Sequence, residues 1–597
     1  MSAELPSCEQ ILARALAAAG GPTWARARTL RLSGRAQAGG LSGPWEQWIE
    51  LPTARHWTRL ALGPATLAAG FDGAVAWQRG ANGEVLLQDA ESGRRAAATE
   101  AWIHARGWLQ PDRHPATTES LGRRDADGQA YDVVRCMPEG GQAVELWFDA
   151  STHRLGRLVQ EQLGKPTLRR FEDHREIAGL SLPWSVTSGN GDPRFDRVMQ
   201  VESVEVDAAP PPDAFAVPGQ AFTDVTFVAH GTQARVAVEV VNNHVFVPVR
   251  LDGHALRFML DTGGVNLVAA ATAQRIGFAS VGAMEARGPG ERSAGSGFAR
   301  AERLEVGGAV ILERQLLRVI DLHGFDAVEG LRVDGVLGVE LFKRLAVQID
   351  YARRELLLSD PAAFVPPPSA ESLPLTFFGH LPGAQGTLDG VPGQFWLDTG
   401  NRGGLVLLAP FVQAHGLAER YRPGAVTTIG WGVGGPAQGR LARGGSLALG
   451  AVHVDGPVLR LALAHDGPLA MRHVAGNIGG EILRRFVVAF DYSRRVVHLA
   501  PTPDAGRPFA ADRAGLWINA HPQGAVVMAV MGGGPADQAG MRVDDVVVAV
   551  DGRPACEHGL AALRERLAES PAGECVAMTV RRGEETIEVA LRLRDLA

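Results

Sequence analysis

Two long segments of this chain repeat each other, and the repeat restricts the possible folds more than any other feature of the sequence. Phe-Met-Leu-Asp-Thr-Gly at 258–263 matches Phe-Trp-Leu-Asp-Thr-Gly at 395–400, 137 residues later, and each follows a Leu-Asp-Gly turn. Further landmarks at 335–344 and 350–354 return 141 residues later. Two copies with landmarks in the same order must share one fold. The sequence therefore predicts two related units joined in one polypeptide.

Each copy carries Asp-Thr-Gly directly after three apolar residues, which would bury the aspartate. Water held between two carboxyls that share one proton can hydrolyse a peptide bond. Two carboxyls about 3 Å apart cannot both ionise, so one pKa rises and the other falls. We predict Asp261 and Asp398 to be this catalytic pair. The alternative is an inactive pseudo-protease in which both aspartates only shape the turns.

The other residues of the two turns are expected to support the pair. A threonine hydroxyl can form a hydrogen bond to the opposite strand, and a glycine lets the backbone turn tightly beside the partner carboxylate. The predicted supporting residues are Thr262, Gly263, Thr399 and Gly400.

With these motifs, residues 225–502 resemble the retropepsin-like aspartic proteases, especially bacterial members with two such lobes. The resemblance implies a β-barrel for each lobe and an endopeptidase activity. It also implies an apolar-apolar-Gly element that braces each turn, matched by Val336-Leu337-Gly338 and by Asn477-Ile478-Gly479. Gly338 and Gly479 are therefore added to the supporting residues.

The sequence departs from the family pattern at three positions near the turns. The residue after Asp-Thr-Gly is usually Ala or Ser, but here it is Gly264 and Asn401, and Asn477 replaces an apolar residue of the brace. We expect glycine-rich flaps that cover the substrate at 288–297 and 430–439, although an ordinary mobile hairpin would have the same composition.

The first segment alternates polar and apolar residues in short runs, which predicts antiparallel strands. Its opening helix and strand at 8–32, the run 144–149 with Arg154-Leu155, and the segment 171–183 resemble the lipoprotein-carrier superfamily of the bacterial envelope. The resemblance implies a half-barrel sheet around a helix, whose concave face holds an acyl chain or an apolar peptide. A structural sheet without a ligand remains the equal alternative.

The last segment resembles the PDZ domains of bacterial envelope proteases. The motif consists of a small-residue helix ending in Ala-Gly-Met at 539–541, an Asp-Asp pair at 544–545 and a strand closed by Asp-Gly at 551–552. PDZ domains capture the C-terminus of a polypeptide as an added strand, and loop amides hold its carboxylate. The predicted peptide-binding residues are Gly515, Leu516, Trp517 and Ile518, within the loop 513–518. The alternative is a PDZ fold used only for packing or regulation.

Charge and composition exclude several other classes. The formal net charge of −7 without Lys/Arg runs argues against a nucleic-acid partner, and the sequence has no apolar stretch of membrane-spanning length. Residues 1–21 are typical of an amphipathic helix rather than a signal peptide, so a periplasmic or envelope location rests on the resemblances alone. The four cysteines lack metal-ligand spacing, and we predict no metal and no cofactor. Cys556 and Cys575 could pair, but two free thiols are the simpler interpretation.

Together these observations predict a mainly β protein. Two proline runs and a Pro-Gly-rich segment near 504 divide it into a lipoprotein-carrier-like half-barrel (1–220), two retropepsin-like β-barrel lobes (225–365 and 366–503) and a PDZ domain (504–597). The predicted function is an aspartic endopeptidase acting on peptide or protein substrates, with a C-terminal peptide as a further ligand of the PDZ domain. The alternative is a catalytically inactive envelope protein that binds peptides or lipids.

Overall fold

The computed structural model describes residues 6–162, 164–286, 288, 290 and 293–597, which form two compact units. The first unit contains Met1–Ala221, Val281–Glu285 and Phe377–Gly379, and the second contains Phe222–Ser280, Ala286–Thr376 and His380–Ala597.

The first unit is built on one antiparallel sheet. Its strands β1 to β13 run in order over Thr29–Ala38, Leu41–Glu50, Arg55–Leu62, Ala65–Phe71, Ala76–Arg79, Val85–Leu87, Ala116–Ala126, Gln129–Pro138, Val144–Asp149, Leu155–Gln162, Lys165–Ile177, Leu180–Gly189 and Arg197–Val206. They pair in the order β6-β5-β4-β3-β2-β1-β13-β12-β11-β10-β9-β8-β7, so the first strand closes on the last. Almost every connection is therefore a hairpin or a short meander loop.

Helices of the first unit pack against this sheet. They are α1 (Cys8–Ala19), α2 (Thr23–Arg26) and α3 (Glu91–His104). The Ser7 hydroxyl accepts from the Gln10 amide, and the Gln10 side chain accepts from the Ser7 amide, which together form a capping box at the start of α1. Helix α1 packs on β7, β8 and β12, and α3 packs on β3, β5 and β8. A helix-covered antiparallel sheet is the architecture predicted for this segment.

The two repeat copies lie in the second unit. Strands β14 to β25 run in order over Val225–Phe227, Gln233–Ala237, Glu239–Val241, His244–Leu251, His254–Leu260, Leu267–Ala269, Val281–Ala286, Ala294–Val306, Val310–Ile320, Gly335–Leu337, Ala346–Asp350 and Glu355–Ser359, with helices α4 (Ala270–Arg275), α5 (Phe325–Glu329) and α6 (Val339–Arg344). These elements, apart from β20, are called lobe 1.

The second copy follows the same plan. Strands β26 to β38 run in order over Glu371–Pro374, Thr376–Phe378, Leu381–Leu388, Val391–Leu397, Leu405–Leu407, Val426–Gly432, Gly435–Arg443, Ser446–Leu449, Val452–Asp455, Val458–Ala462, Gly476–Ile478, Phe486–Asp491 and Val496–Pro501, with helices α7 (Ala409–Ala414), α8 (Leu417–Tyr421) and α9 (Gly480–Leu483). These elements, apart from β27, are called lobe 2.

The strand order confirms that the copies share one topology. Lobe 1 contains the run β22-β19-β23-β18-β17-β21, and lobe 2 contains β35-β30-β36-β29-β28-β33. The parallel and antiparallel pairs also correspond, since β18–β23 and β29–β36 are both parallel. The segments that repeat in the sequence therefore occupy equivalent strands of the two lobes.

A sheet made by both lobes relates them by an approximate two-fold axis. Its order is β15-β25-β24-β37-β38-β26, and the lobes meet where β24 pairs antiparallel with β37. In this pair Gln348 lies opposite Ala489, its own equivalent in the repeat. Because these two residues are equivalent in the repeat, the two-fold axis passes between them, and the same face of each lobe contacts the other lobe.

The C-terminal module completes the second unit. Its strands β39 to β44 run over Leu516–His521, Gly524–Val530, Val546–Val550, Arg553–Pro554, Cys575–Arg582 and Glu585–Arg592, with helices α10 (Pro535–Gln538), α11 (Ala555–His558) and α12 (Leu560–Glu569). The sheet order is β39-β40-β41-β43-β44, so β39 is an edge strand. Apolar residues of α12, among them Leu563 and Leu567, are buried in the core below this sheet.

The predicted mainly β fold class is confirmed, while the predicted domain bounds remain predictions. Within the described residues no helix is both long and apolar enough to span a membrane. All four cysteines are free thiols: Cys556 and Cys575 are exposed, Cys8 is half-buried and Cys136 is buried.

The aromatic contact between the lobes generates a stability test. Phe490 on β37 is fully buried and lies 5.6 Å, between ring centroids, from Phe342 of lobe 1. We expect Phe490→Ala to lower the free energy of unfolding by about 3–5 kcal/mol, because it removes a large side chain and leaves a cavity. Amide hydrogen exchange of β24 and β37 measures the change. Val365→Ala, at a side chain that is 72% exposed, is the control, with an effect within about 0.5 kcal/mol. Equal exchange in both variants would show that the lobes are not held together here.

Candidate active site

The two predicted aspartates occupy equivalent positions at the ends of equivalent strands. Asp261 follows β18 and Asp398 follows β29. The Asp261 amide donates to the Leu337 carbonyl at 2.9 Å, and the Asp398 amide donates to the Ile478 carbonyl, also at 2.9 Å. Each aspartate is thus fixed to the parallel brace strand of its own lobe.

Reciprocal hydrogen bonds of two buried threonines join the two turns. The Thr262 hydroxyl donates to the Leu397 carbonyl at 2.7 Å and accepts from the Thr399 amide at 3.0 Å. The Thr399 hydroxyl donates to the Leu260 carbonyl at 2.9 Å and accepts from the Thr262 amide at 3.0 Å. Both threonines are completely buried, so no water competes for these bonds.

The glycines of the turns allow the carboxyls to meet. The Gly263 amide donates to Asp261 Oδ1 at 2.7 Å, and the Gly400 amide donates to Asp398 Oδ1 at 2.9 Å. A Cβ at position 263 would lie 2.8 Å from Asp398 Oδ1, and one at position 400 would lie 2.4 Å from Asp261 Cγ. A side chain at either position would push the opposite carboxyl away.

Burial and mutual repulsion control the ionisation of the pair. Burial raises the pKa of Asp261 well above its ordinary value, and the charge of Asp398 and a hydrogen bond with that carboxyl raise it further. The amides of Gly263 and Gly400 oppose this shift only in part. One proton is therefore retained between the two carboxyls at pH values where an isolated aspartate has lost its own.

The two brace glycines pack where no side chain fits. A Cβ at Gly338 would lie 2.4 Å from the Gly264 carbonyl oxygen, and one at Gly479 would lie 2.3 Å from the Asn401 carbonyl oxygen. The structure thus brings together all eight predicted turn and brace residues, six of them predicted from the repeat and the two brace glycines from the resemblance. Their catalytic role stays a prediction.

Two histidines beside the turns were missed by the sequence interpretation. His244 of lobe 1 lies 3.0 Å through Nε2 from the Gly400 carbonyl oxygen, and His380 of lobe 2 lies 2.8 Å through Nε2 from the Gly263 carbonyl oxygen. Each lobe therefore supports the other lobe's turn. The repeat gives only a weak sequence signal for these histidines. They lie 136 residues apart, whereas the two Asp-Thr-Gly turns lie 137 residues apart, so they do not align exactly in the two copies.

A buried acid holds one of these histidines. Glu329 Oε2 lies 2.9 Å from His244 Nδ1. Burial alone would raise the pKa of Glu329, but the charges of His244 and Arg402 and the hydrogen bond to His244 outweigh it and lower the pKa to about 2. Glu329 is therefore ionised throughout the physiological range, and it orients the histidine that contacts the Gly400 turn.

Described residues of the two predicted flaps contact each other. Residues 430–439 fall on the hairpin β31–β32. Of the other predicted flap, 288–297, residues 289, 291 and 292 lie outside the described residues. The Gly290 amide of this flap donates to the Val433 carbonyl of the flap 430–439 at 3.1 Å.

The predicted peptide-binding loop of the C-terminal module is engaged by the protein itself. The amides of Ala514, Gly515 and Leu516 donate to the Asp512 carboxylate at 2.8–3.1 Å. Burial raises the pKa of Asp512 to about 6, although these three amide hydrogen bonds oppose the shift. Asp512 thus occupies amides that were expected to hold a ligand carboxylate.

The edge strand of the module also contacts the lobes. The Trp517 ring stacks on that of Trp431 in the second flap hairpin, with 6.4 Å between centroids, and Arg402 lies 4.5 Å from the Trp517 ring centroid. The Ile518 carbonyl accepts from Arg564 Nη2 at 2.7 Å. The four predicted peptide-binding residues therefore lie together, but their groups have partners within the same polypeptide.

The threonine hydrogen bonds can be tested by a nearly isosteric change. Thr399→Val leaves the Thr262 amide without its acceptor and the Leu260 carbonyl without this donor. We expect the free energy of unfolding to fall by about 2 kcal/mol or more, because each unsatisfied buried group costs about 1–3 kcal/mol. Urea unfolding measures the loss. Thr399→Ser keeps the hydroxyl and serves as the control, and equal stability of the Val and Ser variants would contradict a role for the hydroxyl.

Comparison with known proteins identifies one part of the sequence by family. The family model for the PDZ domain matches residues 526–582, so the C-terminal module contains a PDZ domain, as predicted. No curated protein matches the sequence.

Three solved structures resemble about a third of the protein. A DUF1329 family protein from Desulfovibrio piger is 12% identical, with a TM-score of 0.26, and the match covers 35% of this chain and 96% of that one. A LolA superfamily protein from Nitrosomonas europaea is 15% identical, with a TM-score of 0.26, covering 35% and 98%. A domain from Vibrio parahaemolyticus, assigned as an outer membrane lipoprotein-sorting protein, is 10% identical, with a TM-score of 0.25, covering 34% and 94%.

Proposed function

We propose that the protein is an aspartic endopeptidase whose two lobes supply one carboxyl each. The observation that carries the proposal is the paired turn: two aspartates whose carboxyls both lie beside Gly263, on turns that four reciprocal threonine hydrogen bonds fix at an approximate two-fold axis. A structural role alone does not require two half-buried carboxyls to face each other, because two such charges at close range repel and destabilise the fold.

The arrangement supports hydrolysis by water activated between the carboxyls. The ionised carboxyl removes a proton from water, and the resulting hydroxide adds to the peptide carbonyl carbon. The protonated carboxyl donates its proton to the carbonyl oxygen as the tetrahedral intermediate forms. The first carboxyl then protonates the leaving nitrogen, and the second recovers a proton from the hydroxyl as the C–N bond breaks.

The PDZ domain supports a protein or peptide partner. An apolar pocket between β39 and α12 is lined by Leu516, Ile518, Leu563, Leu567 and Met578. A C-terminal peptide that pairs with β39 would place an apolar side chain in this pocket. The ligand class is thus a free C-terminus that ends in an apolar residue.

A non-catalytic binding protein is the second candidate, and the PDZ match favours it. In this case the lobes would hold peptides without cleaving them. The first unit adds a small pocket with mostly apolar walls, including Trp24, Trp108 and Phe171, beside the polar groups of Arg106 and His174. Such a pocket suits an apolar ligand, in agreement with the envelope location inferred from the resemblance.

Replacing either aspartate separates the two candidates. We expect both Asp261→Asn and Asp398→Asn to abolish cleavage of a mixed peptide library, because an amide can neither ionise nor transfer a proton. The losses should be similar and not additive in the double variant, since the carboxyls act as one unit. Mass spectrometry of the products measures cleavage. Thermal melts confirm folding, and near-wild-type cleavage by either variant would leave the binding protein as the better account.

The PDZ ligand site generates a pH-dependent expectation. Asp512 is neutral below its pKa of about 6 and then binds the loop amides less strongly. We expect a fluorescent peptide with a C-terminal leucine to bind about tenfold more tightly at pH 5 than at pH 7, since hydrogen bonds to charged groups contribute about 1.5–3 kcal/mol. Anisotropy titration measures the affinity.

Two controls define this effect. Asp512→Ala should bind tightly at both pH values, and the same peptide with a C-terminal amide should bind weakly to every variant. Equal affinity of wild type and Asp512→Ala at pH 7 would show that Asp512 does not compete with the ligand.

A further inference from the structure

The two lobes differ at the catalytic pair through two asparagines of lobe 2. Asn477 stands where lobe 1 has Val336, and Asn401 stands where it has Gly264. Asn477 Nδ2 donates to Asp398 Oδ2 at 2.7 Å, and Asn401 Nδ2 donates to Asn477 Oδ1 at 3.0 Å. The corresponding side of Asp261 faces Gly264, at which a Cβ would lie 2.8 Å from Asp261 Oδ2. The polar residues that depart from the family pattern thus form one hydrogen-bond relay ending at one carboxyl.

The backbone determines the direction of this hydrogen-bond relay. The Gly403 amide can only donate, and it lies 2.9 Å from Asn401 Oδ1. The Nδ2 group of Asn401 must then face Asn477, where it contacts the side-chain oxygen at 3.0 Å and the carbonyl oxygen at 3.3 Å. Asn477 consequently turns its own Nδ2 group to Asp398. Flipping either amide would place two donors against each other at one of its contacts and two oxygens against each other at another.

We propose that Asn477 is a positioning residue that keeps Asp398 ionised and leaves the shared proton on Asp261. This inference rests on the proposed peptidase function. Oδ2 of Asp398 accepts the hydrogen bond from Asn477, and protonation of this carboxyl would weaken that bond, because hydrogen bonds to an ionised acceptor are stronger than those to a neutral one. Its Oδ1 already accepts from the Gly400 amide. A donated hydrogen bond stabilises the charged form of a carboxyl. Asn477 donates one to Asp398, whereas Val336, its counterpart in lobe 1, has no group that could donate one to Asp261.

The two carboxyls then have distinct roles in the reaction, whereas in a symmetric pair either carboxyl could be the acid or the base. Asp398 is the base that removes the proton from water and later protonates the leaving nitrogen. Asp261 is the acid that donates to the carbonyl oxygen and recovers its proton when the intermediate collapses. The two lobes are thus equivalent in fold but not in chemistry.

The pH profile of cleavage tests this assignment. Asn477→Val introduces the residue found in lobe 1 and removes the donor. We expect the acid limb of kcat/KM to move upward by about one to two pH units, because a hydrogen bond to a charged group contributes about 1.5–3 kcal/mol and one pKa unit is 1.36 kcal/mol. The alkaline limb, set by Asp261, should move less. A loss of packing alone would lower the rate without moving the acid limb.

Other titratable groups act on the same pair and must be distinguished from it. Tyr351 and Tyr492 interact with the aspartates, but burial raises both tyrosine pKa values above their ordinary range, so they stay neutral. Burial lowers the pKa of His380, which interacts with Asp398. Asn401→Gly should move the acid limb in the same direction by a smaller amount. Asn519→Val in the PDZ domain, a matched change away from the pair, should not move it.

A readout independent of activity separates this inference from the proposed function. The carboxyl stretch in infrared difference spectra reports protonation directly, and Asp398→Asn identifies the band of Asp398. We expect this band to titrate about one to two pH units higher in Asn477→Val than in wild type. An unchanged titration together with an unchanged acid limb would overturn the role of Asn477, even if peptides are cleaved. A shifted band without any cleavage by wild type would retain the role of Asn477 and refute the peptidase.

Discussion

The reciprocal hydrogen bonds of Thr262 and Thr399 are the contact on which the rest of the second unit depends. They cross between lobes at the point where the two half-buried carboxyls meet, and each threonine serves as donor and acceptor at once. Two carboxyls this close repel each other when both are charged, so the turns need an attachment that water cannot reach. The sheet formed by β24 and β37 supplies the second attachment by pairing equivalent residues across the same axis. The lobes are therefore held together where electrostatics would separate them.

A series of side-chain contacts joins residues outside the catalytic pair to the turn that carries Asp398. Glu329 orients His244, and His244 contacts the Gly400 carbonyl next to Asp398. Arg402, one step further, touches both the Glu329 carboxylate and the ring of Trp517 in the PDZ domain. These contacts place the PDZ edge strand, the second flap hairpin and the turn of lobe 2 within one connected network. The PDZ edge strand is thus joined to the turn of lobe 2 by a continuous series of side-chain contacts.

The sequence predicted the elements that follow from repetition and from local chemistry. Two Asp-Thr-Gly turns at equal positions of a repeat specify a symmetric pair. Gly338 and Gly479 were predicted from the family resemblance, and the structure adds the reason for them, since a Cβ at either position would overlap the backbone of the turn. The histidines could not be predicted, because their partners are backbone carbonyls of the other lobe and lie more than 110 residues away. Asn401 and Asn477 were recognised only as departures from a pattern. The contact between Asn401 and Asn477 forms because the brace strand lies beside the turn in the folded protein, and this neighbourhood could not be read from the sequence.

The shared proton is the central claim, and reaction with a small epoxide tests it most directly. Opening of an epoxide by a carboxylate is assisted when a neighbouring carboxylic acid protonates the ring oxygen, so it requires one ionised and one protonated carboxyl in contact. We expect one ester per polypeptide, located on Asp398 by peptide mapping. Asp261→Asn should prevent the reaction, since the acid is then missing. Equal labelling of Asp398 in wild type and in Asp261→Asn would contradict a proton shared between the two lobes.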